Sequence, residues 1–78
     1  MSHYRMEITG IIGLSDYSNI YDYIGVVDHH DKFTISLSQV TEDNINIICS
    51  FLNDKNFKII NQGEDVDGKY YINALKSK

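Results

Sequence analysis

The sequence predicts an α+β fold: a small two-layer sandwich in which one main helix, residues 42–54, packs on an antiparallel sheet of four or five strands. Three observations predict it. Apolar residues recur at helical spacing across 42–54. Strict alternation marks residues 4–9 and 32–38 as strands with one wet face. Two more strand-like runs, 57–61 and 69–75, flank a Gly- and Asp-rich turn and read as a hairpin. The 78 residues hold one small α+β domain, 1–78. A chain of this length buries roughly 60–65% of the surface it exposes when unfolded, so nearly all its apolar residues must serve one core.

Each element has its own reason. Tyr4, Met6 and Ile8 alternate with Arg5, Glu7 and Thr9, and Gly10 and Gly13 then loosen the backbone. Residues 15–27 carry two signals. Tyr17, Ile20, Tyr21, Ile24 and Val27 form a helical stripe, with Ser15 or Asp16 as cap. Tyr23 to Val27 is also rich in strand formers, and Gly25 is a poor helix residue. The preferred reading is a helical turn at 16–21, a strand at 22–27 and a hairpin turn at 28–31. The alternative is a second helix at 15–26, which makes the order βαβαββ.

Phe33, Ile35 and Leu37 alternate with Thr34, Ser36 and Ser38. Thr41 is the expected N-cap of the main helix, and Glu42 and Asp43 suit the positive end of its dipole. Ile45, Ile48, Cys49 and Leu52 form its stripe, which Ile47 and Phe51 widen to about half the circumference. Asn56 is suited to a left-handed cap.

Charge narrows the partners. The net charge is −4, and the seven basic residues are scattered from Arg5 to Lys78 with no basic stripe, which argues against direct nucleic-acid binding. The single cysteine, Cys49, favours a reducing setting, and its place in the helical stripe reads as a small buried hydrophobe. No signal sequence or membrane-length apolar run is visible, so the expected location is the cytoplasm. No cofactor is implied.

Two loops invite chemistry. In Val26-Val27-Asp28-His29-His30-Asp31 a strand-like run leads into Asp-His-His. This locally resembles the motif of the DHH phosphoesterases, and the resemblance implies metal-dependent phosphoester hydrolysis through Asp28, His29 and His30. It covers about five residues. Those enzymes need further aspartates and a second domain, for which this chain has no room. A polar turn with two histidines is the plainer reading. The run Gly63-Glu64-Asp65-Val66-Asp67-Gly68 is too short for a calcium loop of the EF-hand type and reads as an acidic turn.

Six tyrosines stand out: Tyr4, Tyr17, Tyr21, Tyr23, Tyr70 and Tyr71. Tyr is large, fairly rigid and amphipathic, which suits interfaces as well as the edges of a small core. The expected function is therefore non-enzymatic: a protein–protein interaction module, an acidic inhibitor or accessory factor acting on a nucleic-acid-binding partner. Small acidic proteins of phages and mobile elements work this way, an analogy of size and charge. The expected partner-binding residues are Tyr23, Tyr71, Asp28, Asp65 and Asp67. The rival readings are a homo-oligomeric binder of a nucleotide-like ligand, dimerised through the wide apolar face of helix 42–54, and a metal-dependent enzyme built on Asp28-His29-His30.

Overall fold

We describe residues 3–28 and 31–77 of a computed structural model of the chain. The order is β1 (His3–Ile8), α1 (Leu14–Ile24), β2 (Lys32–Leu37), α2 (Glu42–Asp54), β3 (Phe57–Glu64) and β4 (Tyr70–Lys76). This is the βαβαββ alternative. The strand expected at 22–27 does not form, because the helical stripe wins: Ile20 and Ile24 are fully buried on one face of α1, and Gly25 serves as its C-cap. The hairpin expected at 28–31 has no strand before it, since α1 precedes β2, and its central residues 29 and 30 lie outside the described residues.

The second helix changes the sheet. A helical crossover joins parallel strands, and β1 pairs with β2 in parallel register, Met6 opposite Ile35. The sheet order is β1-β2-β4-β3. β4 runs antiparallel to both neighbours, so β1, β2 and β3 all point the same way. The sheet is mixed, in place of the antiparallel one expected.

Alternation along the strands sorts the two faces. Phe33, Ile35 and Leu37 of β2 and Ile72 and Ala74 of β4 are buried beneath the helices with Ile48 and Leu52 of α2. Phe33 meets both Tyr23 of α1 and Phe57 of β3, so one layer of helices covers one face. The opposite face has no element over it among the described residues. On β3 the register slips between Ile59 and Asn61, which leaves Ile60 as a bulge on an edge strand.

Local chemistry sets the ends of the elements. Asp16 accepts from the backbone N–H of Gly13 at 2.9 Å and anchors the start of α1. Thr41 and Asn44 cap α2 reciprocally: the Asn44 N–H donates to Thr41 Oγ1 at 3.3 Å, and the Thr41 N–H donates to Asn44 Oδ1 at 3.0 Å. Asn56 takes φ of 65° just past α2, as expected. In the β3–β4 turn Gly68 takes φ of 82° and donates its N–H to Asp65 O at 3.0 Å.

Candidate partner-binding groove

Because β1, β2 and β3 are mutually parallel, their carboxyl ends meet at one edge of the molecule. Open sheets flanked by helices tend to bind at this edge, where loops diverge and leave a crevice. A groove of about 740 Å³ lies there. Its lining comes from the β1–α1 loop (Ile11), the β2–α2 connection (Val40), the first turns of α2 (Ile45) and the β3–β4 hairpin (Tyr70). Two carboxylates, Glu42 and Glu64, line it as well.

The apolar lining is unevenly covered: Leu37 is buried, Val40, Ile45 and Tyr70 are half-buried, and Ile11 is exposed. Ile11 is 83% exposed, and Val66 at the hairpin tip is 98% exposed. Burial raises the hydroxyl pKa of Tyr70, which also donates to Gln62 Oε1 at 3.0 Å. Tyr70 is thus held as a neutral wall of the groove.

The field is negative. Glu42 and Asp43 at the start of α2 join Glu64, Asp65 and Asp67 of the hairpin. The α2 N-terminus would otherwise attract anions, but Thr41 already satisfies the Asn44 N–H and two carboxylates sit in the first turn. Lys69, the nearby cation, is taken up by Glu7 on β1 at 2.7 Å. That pairing holds the Glu7 carboxyl below its ordinary pKa and the Lys69 ammonium above its own, each mainly through their mutual hydrogen bond.

The residues expected to bind a partner do not form one surface. Asp65 and Asp67 flank the groove on the hairpin. Asp28 lies at the other end of the sheet, before β2 begins, and donates its N–H to Asp31 Oδ2 at 3.2 Å. Tyr71 projects from the open face, beside Gly63 of β3. Tyr23 lies in the helical layer: its ring meets Tyr4 edge-on at 6.3 Å, and its hydroxyl donates to the carbonyl of Arg5 at 3.1 Å. His29 and His30, and with them most of the Asp-His-His segment, lie outside the described residues. Among the described residues no three of His, Cys, Asp and Glu converge on one point.

Two further tyrosines join the helices to each other. Tyr17 and Tyr21 of α1 pack edge-on against Phe51 of α2, and Tyr17 accepts a hydrogen bond from the Asn44 side chain. Helix α1 thereby covers part of the wide apolar arc of α2, the feature that had suggested a homodimer. That Ile11, Val40, Glu42 and Glu64 line one groove is not visible in the sequence, because they are far apart along it. The one available signal was the placement of apolar residues in turns, at Ile11 and Val66.

No protein-family model matches the chain, and no curated protein or solved structure is significantly similar to it. No helix among the described residues is long and apolar enough to cross a membrane.

Proposed function

We propose that the protein is a non-enzymatic protein-binding module, an acidic accessory or inhibitory factor whose groove takes a basic segment of a nucleic-acid-binding partner. The observation that carries this reading is the groove itself: exposed Ile11 and half-buried Val40, Ile45 and Tyr70 joined to Glu42 and Glu64, with Asp43, Asp65 and Asp67 on the same segments. An apolar side chain of the partner would sit among Ile11, Val40 and Tyr70, and its Lys or Arg neighbours would face the carboxylates. Such complementarity steers encounter and selects against acidic partners, while the apolar anchor supplies most of the affinity. Segments that bind nucleic acid carry this composition, so occupying one would block it. Of the residues expected from sequence, Asp65 and Asp67 are nearest this groove, on the hairpin between its lining residues Glu64 and Gly68.

The test is affinity capture from nuclease-treated lysate with the wild-type chain and with the double charge reversal Glu42→Lys/Glu64→Lys. A basic protein held by the wild type at low salt, and lost with the double reversal, supports the groove. Retention of the same protein by both, with the same salt dependence, refutes it.

A further inference from the structure

The cations that look scattered along the sequence are gathered by the register of the sheet. His3, Lys32, Leu75 and Lys58 form one row across the open face, in the order β1-β2-β4-β3. The next row is Arg5, Thr34, Asn73 and Asn61. The third is Glu7, Ser36, Tyr71 and Gly63. Arg5, Lys32 and Lys58 therefore share one face. The only carboxylate that the register puts there, among the described residues, is Glu7, and Lys69 neutralises it.

Between the cations runs a directed chain of hydrogen bonds. Thr34 Oγ1 donates to Asn73 Oδ1 at 2.6 Å, and Asn73 Nδ2 donates to Asn61 Oδ1 at 2.7 Å. His3 Nε2 lies 2.8 Å from Thr34 Oγ1; since that hydroxyl's proton is committed to Asn73, the ring donates. The chain fixes the orientation of both amides, which pre-organises the face. Two shallow depressions lie on either side of Thr34, one of about 270 Å³ beside Arg5 and one of about 170 Å³ beside Lys32. Tyr71 stands next to Gly63, whose missing side chain leaves the ring open on that flank.

We propose that this open face binds single-stranded nucleic acid, with Arg5, Lys32 and Lys58 on phosphates and Tyr71 stacking on a base. The combination of a cationic track with an aromatic platform is what single strands require, since every base has a π-face and every linkage a charge. Four strands at 4.7–4.9 Å spacing make a face about 14 Å across, enough for only a few nucleotides. A second copy of this chain is a poor occupant, because face-to-face contact would oppose the same cations. The net charge of −4 does not forbid binding. At about 0.1 M salt the Debye length is about 10 Å, and the acidic groove lies at an edge of a molecule 30 × 27 × 17 Å across. The proposal stands apart from the groove, so either can fail alone.

The test is fluorescence anisotropy with labelled oligo(U) and oligo(dT), titrated at several salt concentrations. Three phosphate contacts on a single strand predict a slope of log K against log salt of about −2, so a fourfold rise in salt weakens binding roughly fifteenfold. The exposed replacements Arg5→Ala, Lys32→Ala and Lys58→Ala each flatten the slope by about 0.7. Tyr71→Ala weakens binding roughly tenfold at unchanged slope, and Tyr71→Phe restores most of it. Urea midpoints of each variant establish that it is folded. Absence of binding with protein at about 1 mM, well above the non-specific range, overturns the proposal. So does a slope that the triple alanine variant leaves unchanged. Displacement of the oligonucleotide by polyglutamate as readily as by unlabelled strand also overturns it, since the face would then read charge alone.

Discussion

Replacing Tyr23 by alanine should cost far more stability than replacing Tyr71, although the two residues look alike in the sequence. Full truncation of a buried aromatic costs about 3–5 kcal/mol. Tyr23 is half-buried, which reduces that to about 2 kcal/mol, and loss of its hydrogen bond to the Arg5 carbonyl adds about 0.5–1 kcal/mol. Tyr71 has Ser36 and Gly63 as its cross-strand neighbours, which offer little packing, so its truncation costs about 0.2–1 kcal/mol. A domain of this length has roughly 4–12 kcal/mol in total. With m near about 1 kcal/mol/M in urea, the Tyr23→Ala midpoint should fall by about 2–3 M and the Tyr71→Ala midpoint by no more than about 1 M. Equilibrium urea unfolding followed by circular dichroism measures both. Equal losses would show that Tyr23 does not bridge α1 to the sheet and would refute the placement of the two residues in different layers.

Three other outcomes follow from the geometry. Gly68→Ala should cost about 1–2 kcal/mol and lower Tm by roughly 4–16 °C, because φ of 82° strains any side chain there even though a Cβ meets nothing within 4 Å; an unchanged Tm would contradict that backbone. Glu7→Gln should lower stability around neutral pH only. Glu7 titrates lower in the folded chain, so its contribution is present above the unfolded carboxyl pKa and fades as pH falls through the folded one; Lys69 titrates higher, so its contribution fades only as pH rises through its folded pKa. The difference in urea midpoint between wild type and variant should vanish in acid, and a constant difference would show that the ion pair is not its source. Cys49 should react slowly with iodoacetamide at pH 8 and reach the rate of a free thiol in urea, since burial raises its pKa; equal rates in both would place it in solvent.

Much of the local structure was legible. Helix α2 was read to its bounds because its stripe, its Thr41 cap and its acidic first turn agree. Strand β2 and the C-terminal hairpin followed from alternation and turn chemistry. Residues 22–27 misled because Tyr23, Ile24 and Val26 have strand propensity, whereas burial of Ile20 and Ile24 on one helical face decides the matter. When 22–27 is read as a strand, the preferred reading, the parallel pairing of β1 with β2 is lost too; the alternative helix at 15–26 is the one that forms. The insertion of β4 between β2 and β3 has no local signal. The groove was illegible for the same reason: Ile11, Val40 and Tyr70 meet only because three parallel strands end together. Asp65 and Asp67 lie on the hairpin between the lining residues Glu64 and Gly68, whereas Asp28 lies at the other end of the sheet. The open face is a further case: Arg5, Lys32 and Lys58, dispersed along the chain, share one face only through the register of the sheet.

The position of β4 has a bearing on how the chain is made. It comes after the other five elements in chain order, yet it occupies an inner place in the sheet and supplies Ile72 and Ala74 to the core. Until it arrives, β2 and β3 have no partner between them, and Phe33 and Ile35 lack the strand they pack beside. The nascent chain can form its helices and the β1–β2 pair, but the sheet cannot close before synthesis of β4 is complete. The decisive step of folding therefore waits for β4 and is governed by non-local pairing, which is slow for a domain this small. A ribosome stalled before Tyr70 would present two open strand edges to its surroundings, a form prone to aggregate and to be cleared by proteases.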